Sequence, residues 1–525
     1  MANVRHRART FKQMSLEVAV RNPERYQGIL ETFNKFERRI LDDDTILDIY
    51  TQLFLDGVIT ANSVDIERQT TNQIRQFIKD NLSHNNEWGY PTGYQAAFTR
   101  YLKTLSEFGF ILSQYNMPLQ LSEVAKAVVN GELSLSDAFA LQSMRFWRKS
   151  PYRRVSNDFN YFAFVLKVIK ARNAAGHKLS YPQFLLTLFS EDGNVSDFIK
   201  LITQNPIGDD PNKAYELAIR HFGENQKIAS QSTAFRDYGN TVFRVLQLTG
   251  FITVEYDGVM LLSINTGKAN LMNQLFALNF SLPNDCYEDE TKYFNHLGTF
   301  DPSLQQLFAS SLNQGNPSTN QYHIKLQKII NDYKLDTTKI AKMLRNVSDG
   351  GNTDSCFWFI QPPVRFEFLL TLFLYSIYRN TYQYKPNYLC DEAGIPYSHA
   401  PGNMGDIEVY NDQRYWLIEA TLIRNRNQQI NNETVNLFRH IHDNNNRDKY
   451  IMLVAPYIHQ DTSLLIKVAA IATILDYNSI IYASAYKTDE FIVENQNATC
   501  IENTHDSTVS FIRELITAIS NINIS

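Results

Sequence analysis

The chain has 525 residues, 44% of them hydrophobic and 20% charged, and this length exceeds one ordinary core and suggests about three domains. It contains no run near the roughly 18 consecutive apolar residues of a membrane span, and no apolar signal region follows its amino terminus, so we expect a soluble intracellular protein. The formal net charge of -5 argues against a protein that coats nucleic acid non-specifically, and four scattered cysteines favour neither a zinc site nor a disulfide framework.

Two similar segments in the amino-terminal half predict a helix followed by a short hairpin. LSEFGFIL at 105–112 precedes a turn at 114–118, and LQLTGFIT at 246–253 precedes a turn at 256–258. In each segment a glycine stands where the helix should end, because glycine readily adopts the left-handed C-cap conformation. A helix followed by a hairpin is the tail of a winged helix, in which that helix often enters the major groove. The alternative is two structural units that make no DNA contact.

Basic residues concentrate between positions 145 and 178, where nine cations accompany one acid. The first part of this run interleaves cations with aromatic side chains, as phosphate-contacting surfaces often do. A solvated helix face is the alternative. On the helix before the second hairpin, three polar residues at spacings of four share one face. The predicted DNA-contacting residues are Arg145, Arg148, Lys149, Arg153, Arg154, Arg236, Asn240 and Arg244.

A polar stretch separates the two halves of the chain. Its clearest breaker is NQGNPSTN at 313–320, whereas the piece at 321–345 has helical apolar spacing. We therefore predict a multidomain protein in three parts. These are a mainly α recognition region at 1–285 with winged-helix-like units at about 85–135 and 230–285, a helical linker at 286–350, and an α/β domain with a mixed sheet at 351–525.

The carboxy-terminal part places acids where an isolated charge would be costly. Residues 363–380 are apolar on nearly every side and predict a buried helix, with Glu367 in its first turns. Residues 405–421 predict a β-hairpin in which Asp406 and Glu419 can converge on neighbouring strands. Paired carboxylates suit Mg²⁺, which activates water for phosphodiester hydrolysis. Ordinary acids on exposed strand faces are the alternative.

Further elements follow the hairpin. Glu433 and His440, seven residues apart, would lie on one face of a helix, with an ordinary surface histidine as the alternative for His440. Residues 450–455 and 479–483 predict buried strands, and residues 462–477 predict a helix between them. The predicted order is helix, hairpin with acids, helix, strand, helix, strand.

This order resembles the core of the PD-(D/E)XK nuclease superfamily. Two positions depart from the superfamily pattern, since Gly405 stands where proline is usual and Thr421 where lysine is usual. The run PYSHAPGNMGDIE at 396–408, followed by IEAT at 418–421, resembles the AlwI family of type IIS restriction and site-specific nicking endonucleases. If the chain is a member, the missing lysine is a family trait and the general base is unassigned.

The family resemblance implies a composition for the catalytic site. Its members would be Glu367, Asp406, Glu419, Glu433 and His440. Asp406 and Glu419 would be Mg²⁺ ligands, Glu367 would join them or orient the site, and Glu433 would complete it. The resemblance also implies a DNA-recognition region in the amino-terminal half and a location in the bacterial cytoplasm.

The implied function is that of a type IIS restriction endonuclease. Such an enzyme recognises a short asymmetric sequence of double-stranded DNA and cuts a few base pairs outside it. One active site cuts one strand, so a second cut needs a transient homodimer or a small subunit. The alternatives are a strand-specific nicking endonuclease, the large subunit of a heterodimeric restriction enzyme, and a non-catalytic winged-helix DNA-binding regulator.

Overall fold

The computed structural model describes most of the chain. The described residues are 10–61, 69–80, 83, 86–312, 319–351, 356–400, 404–430, 437, 448–477 and 481–497. The chain divides into two compact units, Met1–Gly315 and Asn316–Ser525. Among the helices of the described ranges, none combines the length and apolar character needed to cross a membrane.

The amino-terminal unit is mainly helical. Its α-helices are α1 Tyr26–Lys35, α2 Asp43–Leu55, α3 Thr71–Asp80, α4 Tyr94–Glu107, α5 Glu123–Val129, α6 Leu135–Arg145, α7 Tyr161–Ala174, α8 Tyr181–Thr187, α9 Val195–Gln204, α10 Pro211–Phe222, α11 Asn240–Leu248, α12 Ala269–Ala277, α13 Glu290–Leu297 and α14 Pro302–Leu312. A π-helix, Ser232–Gly239, runs directly into α11. Short 3-10 helices cover Pro23–Arg25, Thr266–Lys268 and Asn284–Cys286.

Side-chain caps start several of these helices. Asp42, Ser122, Ser134, Asn160 and Asn194 each accept a hydrogen bond from the backbone N–H three residues later. Such a cap satisfies one of the orphan donors of a helix start and stabilises the helix by about 1 kcal/mol. Short polar residues therefore fix where these helices begin.

The predicted helix and hairpin occur in both repeats. After α4, strands β1 Ile111–Leu112 and β2 Gln120–Leu121 pair antiparallel. After α11, strands β4 Ile252–Tyr256 and β5 Met260–Ile264 pair antiparallel, and β3 Leu179–Ser180 adds to β5. Gly109 and Gly250 have φ angles of 71° and 69°, as expected for C-cap glycines. The helix–hairpin prediction is confirmed, whereas the winged-helix assignment remains a prediction.

The segment predicted as a separate helical linker, 286–350, is helical but contributes to both units. Tyr293 and Leu297 of α13 pack in a core cluster with Leu282 and Cys286 of the amino-terminal unit. The later part, from residue 319, packs in the carboxy-terminal unit instead. The linker assignment stays a prediction, and the apolar residues of this segment are buried in two different cores.

The carboxy-terminal unit is an α/β structure. Its helices are α15 Thr319–Asp332, α16 Thr337–Ser348, α17 Pro362–Tyr378, α18 Arg426–Gln428, α19 Gln460–Tyr477 and α20 Thr488–Asn497. Its strands are β6 Gln383–Pro386, β7 Leu389–Cys390, β8 Pro396–Ser398, β9 Ile407–Tyr410, β10 Arg414–Ala420, β11 Asp448–Ala455 and β12 Ile481–Lys487. The predicted buried helix, hairpin, two strands and intervening helix are thus all present.

Five strands form one mixed sheet in the order β12-β11-β10-β9-β6. The β10, β11 and β12 strands are parallel, whereas β9 is antiparallel to both β10 and β6. Six consecutive residues of β10 are buried, as expected for a central strand covered on both faces. The edge strand β6 ends with Pro386, a residue that an edge tolerates because it lacks a backbone N–H.

The two faces of this sheet carry different side chains. One face holds stacked rings, with the Trp416 and Tyr450 centroids 4.9 Å apart and the Tyr450 and Tyr482 centroids 4.8 Å apart. Helix α17 packs on this face, where the Tyr384 hydroxyl donates to the Leu374 carbonyl oxygen. The other face contributes to an apolar cluster with α19, composed of Leu437, Ile451, Leu453, Ile466 and Ala483.

Candidate functional site

Asp406 and Glu419 lie at adjoining ends of the antiparallel pair β9 and β10. The last register pair joins Ile407 to Ile418, so Asp406 directly precedes β9 and Glu419 is the next residue on β10. The Ala420 N–H donates to Asp406 Oδ2, so the Asp406 carboxylate lies beside the residue that follows Glu419. Glu419 is buried and Asp406 is half-buried. The hairpin therefore brings the two predicted acids together at the edge of an apolar face.

The backbone around Asp406 is fixed by close contacts. The Ala420 N–H donates to Asp406 Oδ2 at 2.8 Å, which ties the carboxylate to the end of β10. A Cβ atom at Gly405 would lie 2.4 Å from Leu417 Cδ1 and 3.1 Å from Glu419 Oε1. A side chain at position 405 would collide with this packing. Glycine in place of the usual proline thus lets the strand approach the Glu419 carboxylate closely.

Asn387 is a site residue that the sequence analysis missed. Its backbone N–H donates to the Asp406 carbonyl oxygen at 2.9 Å, and its Nδ2 donates to the Gly405 carbonyl oxygen at 2.7 Å. The same Nδ2 donates to Glu408 Oε1 at 2.9 Å. Asn387 directly follows β6, a strand that was not predicted. Only the short alternation before it could have signalled this position.

Glu367 lies on α17 and is 3% exposed. Its Oε1 lies 2.7 Å from Nδ1 of His399, a residue just after β8 whose side chain is 37% exposed. The distance is that of a hydrogen bond between the carboxyl group and the imidazole. The contact orients the His399 ring. The burial predicted for Glu367 is confirmed, and its membership of the metal site stays a prediction.

The remaining predicted site positions have separate outcomes. Glu433 and His440 lie outside the described residues. Thr421, at the position where lysine is usual, is buried, and its N–H donates to the Val454 carbonyl oxygen at 3.0 Å. Its Oγ1 accepts from the Ile423 N–H at 3.1 Å. The Thr421 hydroxyl therefore stabilises the chain turn that follows β10.

The Asp406 and Glu419 pair has the donor chemistry that Mg²⁺ prefers. Mg²⁺ is bound in proteins by one or two carboxylates and completes its coordination with water and substrate phosphates. In the described ranges, no group of three or more His, Cys, Asp or Glu side chains is placed to hold a metal ion. Two neighbouring carboxylates nevertheless fit Mg²⁺, and Glu367 as a third ligand stays a prediction.

Two of the predicted DNA-contacting arginines, Arg145 and Arg148, are buried within the amino-terminal unit. Arg145 donates to the carbonyl oxygens of Leu297 at 2.6 Å and Thr299 at 2.7 Å. Arg148 is 1% exposed and donates to the carbonyl oxygens of Lys12 and Ser190. Desolvation lowers the pKa of Arg145 to about 10 and that of Arg148 to about 9.

Arg153 is similarly engaged inside the unit. It forms a two-point ion pair with Glu107, with Nε to Oε1 at 2.9 Å and Nη2 to Oε2 at 2.7 Å. Its side chain is 13% exposed. The expectation that Arg145, Arg148 and Arg153 contact phosphates is corrected. Their guanidinium groups donate to carbonyl and carboxylate oxygens inside the unit, and these contacts account for the positive charges at these positions.

The other two cations of this run differ from each other. Lys149 lies 2.9 Å from Asp158 and 4.0 Å from the centroid of the Tyr287 ring, so its charge is partly satisfied within the unit. Arg154 is exposed. Of the five cations predicted here, Arg154 is thus the one most open to solvent.

The face predicted before the second hairpin is present. Arg236 is exposed on the π-helix, and Asn240 and Arg244 are half-buried on α11. Arg244 Nε donates to Asn240 Oδ1 at 2.7 Å, as the spacing of four predicted. Seven of the nine residues of α11 are buried. The helix therefore offers a narrow polar strip, and its role in DNA recognition remains a prediction.

The chain resembles known restriction enzymes. The model of the AlwI restriction endonuclease family matches residues 106–353 and 353–492. No curated protein matches the chain. The solved small subunit of the heterodimeric restriction endonuclease R.BspD6I is 18% identical, with 34% of this chain and 89% of that chain covered and a TM-score of 0.26. Restriction endonuclease FokI is 10% identical, with 95% and 98% of the two chains covered and a TM-score of 0.23. Because the family model spans well over half of the sequence, the chain belongs to the AlwI restriction endonuclease family.

Proposed function

We propose that the chain is a type IIS restriction endonuclease. It recognises a short asymmetric sequence of double-stranded DNA and hydrolyses phosphodiester bonds a few base pairs outside it with Mg²⁺. Membership of the AlwI family implies a site-specific nuclease. The observation that carries the proposal is that Asp406, directly before β9, and Glu419, on β10, lie at adjoining strand ends. Gly405 is so close to Leu417 and to Glu419 Oε1 that a side chain there would clash.

Asp406 and Glu419 are the residues that would hold Mg²⁺. The bound ion supplies a Lewis acid that polarises the phosphate and lowers the pKa of water. The protein contributes the geometry. The Ala420 N–H fixes one oxygen of Asp406, and Asn387 fixes the backbone on either side of Asp406. Hydrogen bonds of this kind keep carboxylates in position, so less reorganisation is needed when substrate binds.

Glu367 and His399 form a second element of the proposed site. A buried carboxylate 2.7 Å from an imidazole nitrogen holds the ring in one orientation and one tautomer. His399 lies seven residues before Asp406 on the same connection. We assign Glu367 to positioning this connection, with Glu433 and His440 completing the site as the family resemblance implies.

The amino-terminal unit would recognise DNA. Arg236, Asn240, Arg244 and Arg154 are its polar candidates, because they reach the surface or the half-buried strip of α11. Lys149 adds a partly satisfied cation nearby in sequence. A division between recognition and cutting agrees with the two compact units of the chain. It also explains how an acidic protein can bind DNA, since only a limited surface has to be basic.

A strand-specific nicking endonuclease is the second candidate function. The chain has one α/β unit with one Asp406 and Glu419 pair, and one such centre hydrolyses one strand at a time. Cleavage of both strands then needs a transient homodimer or a small subunit. The number of strands cut therefore separates the two candidates.

Plasmid cleavage tests the proposed function. Supercoiled plasmid would be incubated with the protein with and without Mg²⁺, and the DNA ends would be sequenced. We expect discrete fragments only when Mg²⁺ is present. The ends of these fragments should lie at a constant distance from one asymmetric sequence. Nicked circles without linear product would favour the nicking enzyme. Intact plasmid under every condition would contradict a nuclease and favour the non-catalytic DNA-binding regulator.

A further inference from the structure

The proposed nuclease centre has no cation at the position where lysine is usual. Position 421 holds threonine, and the hydroxyl of Thr421 is used in the turn after β10. Hydrolysis of a phosphodiester builds negative charge on the phosphate oxygens, and a preorganised cation stabilises that charge strongly in a partly desolvated site. A cation on another strand of the same face could serve this purpose.

Lys385 lies on the same sheet face as the two acids. The register pairs Lys385 with Glu408, and Glu408 with Leu417, so these three side chains form one row across β6, β9 and β10. Glu419 lies two residues beyond Leu417 on β10, and Asp406 lies two residues before Glu408. The Asn387 N–H donates to the Asp406 carbonyl oxygen at 2.9 Å, which continues the pairing of β6 and β9 as far as Asp406. Diagonal neighbours on adjacent strands lie roughly 7–8 Å apart, which is within reach of long side chains. Lys385 is thus a diagonal neighbour of Asp406.

Glu408 and Asn387 hold Lys385 in this position. Lys385 Nζ lies 2.7 Å from Glu408 Oε1, and Asn387 Nδ2 donates to the same oxygen at 2.9 Å. Asn387 also binds the Gly405 carbonyl oxygen, so one side chain connects the ion pair to the backbone that carries Asp406. The Lys385 side chain is 34% exposed, so part of it is accessible from solvent.

We propose that Lys385 is a further catalytic residue of this nuclease and that it contacts the DNA phosphate at the cleavage centre in place of the missing lysine at position 421. Glu408 and Asn387 are positioning residues that aim the ammonium group. The inference rests on the proposed nuclease function. Lys385 lies on the edge strand β6, outside the hairpin whose sequence pattern predicted the acids of the site.

The competing explanation is that Lys385 only neutralises the negative charge of Glu408. A double-variant comparison separates the two, because the role of Lys385 in neutralisation disappears when Glu408 is uncharged. The variants are Lys385→Met, Lys385→Arg, Glu408→Gln and the double variant Lys385→Met with Glu408→Gln. Lys449 is half-buried on the same face but two rows from Glu419, and Lys449→Met is the matched control.

The measurement is the single-turnover cleavage rate with Mg²⁺ and excess protein, together with DNA affinity without Mg²⁺ and the melting temperature. We expect Lys385→Met to lower the rate by about 10²–10³-fold, the usual loss when one preorganised donor is removed. Lys385→Arg should recover a large part of the rate because it keeps the cation, and Lys449→Met should match the wild type. DNA affinity and melting temperature should change little in all of them.

The double variant decides the assignment. We expect it to be as slow as Lys385→Met, since the missing phosphate contact does not depend on Glu408. A double variant restored to the Glu408→Gln rate, or a Lys385→Met variant as fast as the wild type, would overturn the role of Lys385 and leave the proposed function intact. A wild-type protein that leaves DNA intact with Mg²⁺ would overturn both.

Discussion

Arg148 and Arg154 lie six residues apart in one basic run, yet their guanidinium groups have opposite environments. Arg148 is enclosed and donates to backbone carbonyl oxygens, whereas Arg154 is exposed. A run of cations with aromatic neighbours predicts a phosphate-binding surface, but the same composition also fits arginines that bridge loops inside a core. Residue type cannot separate these cases, because burial depends on contacts between residues far apart in the chain, such as Lys12 and Arg148.

Substitution of these two arginines should have different effects. Arg148→Met leaves buried carbonyl oxygens without donors, so we expect the free energy of unfolding to fall by roughly 2 kcal/mol. Arg154→Met removes only an exposed charge, so stability should stay nearly constant while DNA affinity falls. Chemical unfolding and DNA titration of both variants check this. Equal stability losses in the two variants would contradict the assigned environments.

Asp406 and Glu419 show how much of the candidate site the sequence could predict. Strand alternation assigns each acid to a face, and the short turn between the strands fixes the register that brings the two strand ends together. Asn387 and Lys385 depend on a different contact. Lys385 belongs to an edge strand of four residues that includes a proline, and Asn387 directly follows it. The pairing of this strand with β9 forms across about twenty residues of intervening chain. Local pattern carries no signal for such pairing.

At the scale of single elements, Gly109 terminates α4 in a tightly packed place. Its φ angle is 71°, and a Cβ atom there would lie 2.5 Å from Leu297 Cβ. The Gly109→Ala variant therefore combines a left-handed backbone penalty of about 1–2 kcal/mol with a steric clash. Gly131 is the matched control, because its φ angle is 74° and a Cβ atom there would point into open space.

We expect Gly109→Ala to lower the unfolding free energy clearly more than Gly131→Ala does. The additional loss of unfolding free energy in Gly109→Ala measures the contact between the end of α4 and α13. Denaturant unfolding of both variants gives the two values. Equal losses would mean that α13 does not pack against this turn, and would contradict its assignment to the amino-terminal unit.

The turn between β7 and β8 contains a buried carboxyl group. Asp391 is 3% exposed, and desolvation raises its pKa from 3.8 to about 7. Its Oδ1 accepts from the Ile395 N–H at 2.9 Å. Between these two pKa values the folded state binds more protons than the unfolded state. The unfolding free energy contributed by this group therefore falls as pH rises through that window and levels off above it.

Replacement of Asp391 by asparagine should remove this pH dependence. Asparagine keeps an oxygen acceptor for the Ile395 N–H and cannot ionise. We expect Asp391→Asn to be more stable than the wild type by roughly 2 kcal/mol at about pH 8, with a smaller difference at about pH 5. Chemical unfolding at both pH values tests this. A difference that does not change with pH would contradict the raised pKa.

At the scale of the whole molecule, the two compact units were only partly predictable. A recognition half and an α/β half follow from the change from helix–hairpin repeats to buried strands. The boundary between the units does not follow from the sequence. The polar segment at 313–320 looks like the middle of a linker, whereas the helices on either side of it are buried in different units. Which core takes up an amphipathic helix is decided by complementary surfaces elsewhere in the chain.

The central claim is that Asp406, directly before β9, and Glu419, on β10, form the centre that cuts DNA, while the other unit recognises it. Asp406→Asn tests both parts, because asparagine keeps an acceptor for the Ala420 N–H and loses the charge. Asp412→Asn, in the exposed turn of the same hairpin, is the control. The measurement is the cleavage rate with Mg²⁺ alongside specific DNA affinity. We predict that Asp406→Asn loses at least about 10²-fold in rate and keeps its affinity, while Asp412→Asn retains both. Cleavage by Asp406→Asn at the wild-type rate would contradict the account.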